Sequence, residues 1–203
     1  MKKISIAVDG PSAAGKSSIA KIVAKRLDYI YIDTGAMYRC VGYYCLENNI
    51  DLKDEQAVSQ ALKQIKIEMD SNNHIFLNGQ DVSQVIRQDQ VSMSASVVSS
   101  YQAVRTFLVE QQRQMANVGG VILDGRDIGT VGRYLENLEK GIACNLEEIE
   151  QDLIRRDNID SSRAFAPLRP AEDSILLDTS NMSINEVVNA VISIIEKKLG
   201  EME

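Results

Sequence analysis

The stretch Gly10-Pro11-Ser12-Ala13-Ala14-Gly15-Lys16-Ser17 fits the pattern GxxxxGK[ST] in full. An apolar run from Ile4 to Val8 precedes it, and a helical pattern with Ile19, Val23 and Leu27 four residues apart follows it. In this strand–loop–helix context, glycines let backbone N–H groups point at phosphate oxygens, and the helix N-terminus adds partial positive charge. The stretch therefore predicts a site for a nucleoside triphosphate.

The side chains of this loop have distinct predicted tasks. Lys16 is expected to reach the β- and γ-phosphates, and the Ser17 hydroxyl to bind Mg²⁺. Asp124 ends the apolar run Val121-Ile122-Leu123, which is the Walker B pattern, and would hold Mg²⁺ through water. The predicted ATP-binding set is Gly10, Pro11, Ser12, Ala13, Ala14, Gly15, Lys16, Ser17 and Ser18.

Short apolar runs alternate with helical patterns along the chain, which predicts an α/β fold with a parallel β-sheet flanked by helices. A hairpin pattern interrupts this alternation and predicts a small inserted lobe that contains β-strands. The predicted strands are 4–8, 29–32, 65–69, 75–77, 121–123 and 174–177. The predicted helices follow the phosphate loop and cover 37–47, 54–66, 102–117, 133–141 and 146–156, with a last helix opened by the capping-box pair Ser183 and Glu186.

The length of 203 residues fits one domain with inserted lobes. We expect a single domain over 1–203. Its core would comprise 1–37, 100–131 and 164–203, with inserted regions at about 38–99 and about 132–163.

Composition narrows the function classes. Twenty-two basic and 29 acidic residues give a net charge of −7, which argues against binding of long nucleic acid. The cysteines Cys40, Cys45 and Cys144 form no CxxC pair, and His74 is the single histidine, so no zinc set is expected. No signal peptide or membrane span is recognisable. We expect a cytoplasmic protein with reduced thiols, acting as a monomer.

Arginines recur at predicted loop positions, and this favours a kinase, because transfer between two polyanions requires neutralisation of charge at donor and acceptor. The Asn-Lys-x-Asp element of a GTPase is absent. Three alternatives stay open: a kinase for another small acceptor such as UMP or a metabolite, a catalytically impaired nucleotide-binding form, and a GTPase-like switch.

Four stretches together resemble the bacterial cytidylate kinase family, in the family's order. They are Asp9 to Ser17, Asp33-Thr34-Gly35-Ala36-Met37-Tyr38-Arg39, Asp124-Gly125-Arg126-Asp127-Ile128-Gly129-Thr130 and Arg163-Ala164-Phe165-Ala166-Pro167-Leu168. The resemblance covers nearly the whole chain. It implies a single P-loop kinase domain, in which about 38–99 is the acceptor-binding insert and about 132–163 is the helical lid. It also implies transfer of the γ-phosphoryl group of ATP, with Mg²⁺, onto CMP or dCMP.

The resemblance also implies roles at the matched positions. Lys16, Asp124, Arg126 and the lid arginine Arg133 would be catalytic. Ser17 and Asp124 would serve the metal. The acceptor-binding set would be Thr34, Arg39, Ser96, Arg105, Arg126, Asp127, Arg156, Asp160 and Arg163, in which Arg39, Arg126 and Arg163 clamp the phosphate, Ser96, Arg105 and Asp127 read cytosine, and Arg156 and Asp160 contact the ribose.

The chain departs from the family pattern after Val131. Gly132-Arg133-Tyr134-Leu135 follow at once, where the family continues through a buried strand and the start of the lid helix. Roughly twenty residues, a strand and much of a helix at usual lengths, are lacking. Three explanations stay open. The chain is shortened, or the sequence is joined across an omitted segment, or another segment of the chain supplies the strand. A real deletion predicts poor stability and impaired closure of the lid.

Overall fold

The computed structural model describes residues 3–8, 15–125 and 174–201. The chain divides into two compact units. One comprises Lys3–Ile6 and Leu27–Leu123, and the other comprises Ala7–Arg26 and Asp124–Glu203. The helices predicted over 133–141 and 146–156, and the lid region 132–163, lie outside the described residues. The domain boundaries stay a prediction.

Six strands and six α-helices occur in the described residues, with short 3₁₀ helices at Leu62–Gln64 and Val85–Arg87. The strands are β1 (Ser5–Val8), β2 (Ile30–Asp33), β3 (Ile67–Met69), β4 (Ile75–Leu77), β5 (Gln80–Asp81) and β6 (Val121–Asp124). The helices are α1 (Lys16–Leu27), α2 (Thr34–Glu47), α3 (Glu55–Ala61), α4 (Asp89–Val98), α5 (Gln102–Asn117) and α6 (Ile184–Gly200).

A parallel three-stranded sheet has the order β1–β6–β2 among the described strands. Its middle strand β6 is the most buried, with Ile122 fully inside, because parallel strands covered by helices face apolar surroundings on both sides. The predicted α/β fold with a parallel sheet flanked by helices is confirmed. Among the described strands β1 is an edge strand of this sheet, and its residues Ser5 and Ala7 are exposed.

The predicted inserted hairpin is also present. Strand β3 pairs antiparallel with β4, with Ile67 opposite Leu77. Strand β5, which the sequence did not predict, continues the small sheet after a turn at Asn78-Gly79. Both turn residues have positive φ, 51° and 83°, which matches the preference of this dipeptide for a tight hairpin turn.

Helix α2 is the centre of the larger unit and packs chiefly against α4. Its buried side includes Met37, Cys40, Val41 and Cys45, and these residues belong to the main apolar core of that unit. Gly42 lies on the same helix, where an added Cβ would overlap Ser94 Oγ and lie 2.9 Å from the backbone nitrogen of Ala95. The two backbones therefore approach closely only because position 42 has no side chain.

Several boundaries differ from the predictions. Helix α2 begins at Thr34 and not Met37, because Asp33 accepts a hydrogen bond from the Ala36 N–H and caps the helix. The helix predicted over 54–66 ends as an α-helix at Ala61 and continues as a 3₁₀ turn. Helix α4 was not predicted, since its Ser- and Val-rich sequence has low helix propensity.

The strand predicted at 174–177 is wrong. Residues 174–179 have no regular secondary structure, and Ile175 and Leu176 are 53% and 97% exposed. An apolar run forms a strand only where a neighbouring strand pairs with its backbone, and this run pairs with none of the described strands. The next element was predicted correctly: Ser183 and Glu186 form a capping box at the start of α6.

Candidate active site

Gly15 and Lys16 form the described end of the phosphate loop. Gly15 has φ of +68°, a left-handed conformation that favours glycine, and its carbonyl accepts the first helical hydrogen bond from Ile19 N at 3.1 Å. Lys16 is the first residue of α1 and is only 7% exposed. A buried ammonium group at a helix N-terminus suits recognition of a polyanion. Ser17 is half-buried and Ser18 is exposed. Gly10 to Ala14 lie outside the described residues.

Asp124 is the last residue of β6 and is 7% exposed. The next residue, Gly125, donates its N–H to the carbonyl of Val8 at 3.2 Å. Because Val8 ends β1 just before the phosphate loop, this bond places the carboxylate of Asp124 at the edge of the sheet from which the loop leaves. The sequence predicted this placement.

The oxygen donors at this edge fit Mg²⁺. The carboxylate of Asp124 and the hydroxyl of Ser17 are the hard oxygen ligands that Mg²⁺ prefers. No group of three His, Cys, Asp or Glu side chains that could hold a metal occurs within 3–8, 15–125 and 174–201. Mg²⁺ in kinases is bound by one or two such side-chain oxygens together with the phosphates of the substrate.

A second polar group lies at the end of β2 and the start of α2. Arg39 donates from Nη2 to Oδ2 of Asp33 at 3.0 Å. Thr34, half-buried, is the first residue of α2 and lies directly between strand and helix. Arg39 follows the helix cap Asp33 by six residues, about 1.7 turns of helix, so its long side chain reaches back along α2 to make this bond.

Ser96 and Arg105 occupy two further helices of the same unit. Ser96 is exposed on α4, with its hydroxyl 3.4 Å from the Ser92 carbonyl. Arg105 is half-buried in the first turn of α5. The Tyr101 hydroxyl donates to the Leu52 carbonyl at 2.8 Å and anchors the start of that helix. The predicted acceptor residues Arg126, Asp127, Arg156, Asp160 and Arg163, with the lid residue Arg133, lie outside the described residues.

Asp33 lies within the second family motif, but no role in the site was predicted for it from the sequence. Its signal was present in the sequence: an acidic residue directly before a helix is a favoured N-cap, and Arg39 follows six residues later.

The described cysteines are packing residues. Cys40 and Cys45 are fully buried and form no disulfide. Burial raises the pKa of the Cys40 thiol to about 12 and that of the Cys45 thiol to about 11. A thiol needs its thiolate form to act as a nucleophile, so neither cysteine is a catalytic candidate.

No helix in the described part of the chain has the length and apolar character that crossing a membrane requires.

Comparison with known proteins identifies a family for this chain. The model of the family "Cytidylate kinase" matches residues 6–132 and 132–197. The cytidylate kinase of Bacillus cereus is 44% identical over 217 residues, with 96% of each chain covered. Two further relatives are similar to the same extent. The cytidylate kinase of Bacillus cytotoxicus is 44% identical, with 98% of each chain covered. The cytidylate kinase of Bacillus thuringiensis is 43% identical, with 96% of each chain covered.

These alignments are longer than the part of this chain that they cover. An alignment of 217 positions that covers 96% of a 203-residue chain includes about 195 of its residues, so about 22 positions of the relative face no residue here. The family match divides at Gly132, which is the join that the sequence indicated. Relative to these enzymes, the chain lacks an internal segment but retains the rest of their length. With the family model matched over nearly all of its residues, the chain belongs to the cytidylate kinase family.

Proposed function

We propose that this protein transfers the γ-phosphoryl group of ATP to CMP or dCMP, giving CDP or dCDP. The observation that carries the proposal is the buried Lys16 at the start of α1, within a complete phosphate-loop sequence that leaves the sheet beside Asp124. Membership of the cytidylate kinase family supplies the acceptor.

The donor end depends on Gly10 to Ser18. Backbone N–H groups of the loop would surround the phosphates, and Lys16 would contact the β- and γ-phosphates. Ser17, and Asp124 through water, would hold Mg²⁺, which neutralises charge on the phosphates when it is bound. The burial of Lys16 and Asp124 supports these assignments, because water competes less for buried charges.

The acceptor end depends on arginines and on residues that read the base. Arg39, Arg126 and Arg163 would clamp the acceptor phosphate, and Thr34 would lie beside it. Arg156 and Asp160 would bind the ribose. Asp127 would accept from the exocyclic amine of cytosine, while Arg105 and Ser96 would donate to its acceptors. An unmade pair of this kind costs about 1–3 kcal/mol, which discriminates CMP from UMP by one to two decades.

The chemical step needs little covalent help from the protein. The attacking oxygen of CMP is already anionic, so no strong general base is required. Positioning of the two phosphate groups in line and neutralisation of their charge would supply most of the rate. Arg126 and the lid arginine Arg133 would stabilise the charge on the transferring group.

The proposal includes a monomeric protein in the cytoplasm. The fully buried and protonated Cys40 and Cys45 are compatible with a reducing compartment. Gel filtration with light scattering would test the monomer, since a mass of 22.5 kDa is expected and twice that mass would contradict it.

An acceptor screen tests the function. CMP, dCMP, UMP and AMP are offered with ATP, and ADP release is coupled to NADH oxidation. We expect CMP and dCMP to exceed UMP by at least about tenfold in kcat/KM. A higher kcat/KM for UMP or AMP would show that the acceptor assigned here is wrong. ATP turnover that does not depend on any acceptor would exclude kinase activity.

The matched variants are Lys16→Ala and Lys25→Ala, two lysines on helix α1. Lys16→Ala should lower kcat by about 10³ or more, because a charge on the transferring phosphates is removed. Lys25 is exposed, and its replacement should leave kcat unchanged within about twofold. Retained turnover in Lys16→Ala would remove the phosphate loop from the mechanism.

A further inference from the structure

Asp33 uses its two carboxylate oxygens for two different contacts. Oδ1 accepts from the backbone N–H of Ala36 at 2.9 Å and caps helix α2. Oδ2 accepts from Nη2 of Arg39 at 3.0 Å. Because Asp33 is also the last residue of β2, one side chain fixes the helix start and the arginine relative to the sheet.

The Asp33–Arg39 pair differs from an ordinary surface pair in its burial. The Arg39 and Asp33 side chains are 23% and 26% exposed, whereas those of Lys66 and Glu68 are 72% and 49% exposed. Exposed pairs are weakened by water and salt and contribute little. A pair shielded to this extent keeps a charge-assisted hydrogen bond that holds the guanidinium in one orientation.

Arg39 retains unused donors in that orientation. A guanidinium has five N–H donors, and the bond to Asp33 uses one nitrogen. The buried Nε of Arg39 has no hydrogen-bond partner among the described residues. The Arg39 side chain is still 23% exposed, so an anion that reaches its exposed part would meet donors that the bond to Asp33 leaves unused.

Gly35 leaves space beside the pair. A Cβ added at this position would lie 3.3 Å from Oδ1 of Asp33 and 3.4 Å from Nη1 of Arg39. The first distance is slightly shorter than an ordinary contact and the second is an ordinary contact, so a side chain here would touch both charged groups and crowd the Asp33 carboxylate. The glycine therefore keeps one side of the Asp33–Arg39 pair uncrowded.

We propose that Asp33 is a positioning residue for the acceptor phosphate. It holds the Arg39 guanidinium so that the remaining N–H groups are presented to the phosphate of CMP, and Gly35 keeps the approach open. The inference deepens the proposed function and rests on it. Asp33 does not touch the phosphate in this account, since two anions would repel, and it acts only through Arg39.

Asp33→Asn tests the proposal, because asparagine remains a good helix cap but carries no charge to hold the guanidinium. We expect the KM for CMP to rise on the order of tenfold, because about one charge-assisted hydrogen bond is lost. The KM for ATP should stay within about twofold of the wild-type value. Asp54→Asn is the matched control. Asp54 caps α3 through Ala57 N at 3.0 Å and pairs with no arginine among the described residues.

A double-mutant cycle separates positioning from a structural role. In an Arg39→Gln background, Asp33→Asn should change the KM for CMP no further, because the group it orients is gone. Gly35→Ala should raise the KM for CMP without removing any charge. Calorimetry of CMP binding without ATP and a thermal melt accompany each variant. The melting temperature of Asp33→Asn should lie only a few degrees below that of Asp54→Asn, because one partly buried ion pair is lost in addition.

Three results would overturn the inference. An unchanged KM for CMP in Asp33→Asn would show that Asp33 does not position Arg39. A lowered KM would show that Asp33 competes with the phosphate for the arginine. Parallel changes in both KM values and in melting temperature, beyond those of Asp54→Asn, would show a purely structural role. If the wild-type chain neither binds nor phosphorylates CMP, the proposed function itself fails, which is a distinguishable outcome.

Discussion

Replacing Gly42 by alanine would place a methyl group at the closest approach of helices α2 and α4. The new Cβ would overlap Ser94 Oγ and lie 2.9 Å from Ala95 N and 3.1 Å from the carbonyl carbon of Ser94. The Ser94 hydroxyl could rotate away from its bond to the Val91 carbonyl at 2.8 Å, but the backbone contact at Ala95 can be relieved only if the helices separate.

The magnitude follows from two opposing effects. Alanine in the middle of a helix gains about 1 kcal/mol over glycine, whereas overpacking a buried contact costs about 1–3 kcal/mol, and occasionally more. We place Gly42→Ala near the upper end because backbone atoms are involved, which gives a net loss of about 1–2 kcal/mol. For a chain of this size that lowers the melting temperature by roughly 2–8 °C. Because α4 also carries Ser96, the KM for CMP should rise as well.

Thermal melts of Gly42→Ala and Gly200→Ala provide the assay. Gly200 is also helical, at the end of α6, but an added Cβ there meets nothing within 4 Å. The control should therefore be neutral or slightly stabilised. If Gly42→Ala is as stable as Gly200→Ala, the close packing of α2 on α4 is refuted.

The internal gap and the buried thiols give the remaining predictions. The chain should melt more than about 5 °C below the Bacillus cereus relative, because among the described strands β1 ends the sheet and none pairs with the run 174–177. A chain carrying the relative's additional segment should recover the difference. Equal melting temperatures would show that the gap costs no stability. Burial raises the pKa of Cys40 from 9.0 to about 12, so the unfolded chain loses this proton first and the free energy of unfolding should fall as pH rises above about 9. Urea unfolding at pH 8 to 10 should show a smaller fall for Cys40→Ala, and identical pH profiles would contradict the assignment.

Elements with a strong local pattern were predictable from the sequence. Helix α5 has the predicted bounds, Gln102–Asn117, and the capping box fixes the start of α6. Strand β6 and its terminal Asp124 follow from an apolar run that ends in a carboxylate. In these cases the period of the apolar residues, the caps and the burial all indicate the same structure.

Elements that depend on tertiary contacts were not predictable. Helix α4 forms against α2 despite a Ser- and Val-rich sequence, because the close approach at Gly42 supplies packing that propensity does not. The run 174–177 has strand-like residues, but no strand in the described part of the chain pairs with it. The double contact of Asp33 requires knowledge of where Arg39 points, which the sequence alone does not contain.

The most direct test of the account is transfer of label from γ-labelled ATP to CMP by a chain whose intact mass agrees with its 203 residues. We expect the label in CDP, in proportion to the ADP formed, and its loss in Lys16→Ala. Label that stays in ATP, or that appears only as inorganic phosphate, would contradict the claim that the shortened chain is a working kinase for CMP.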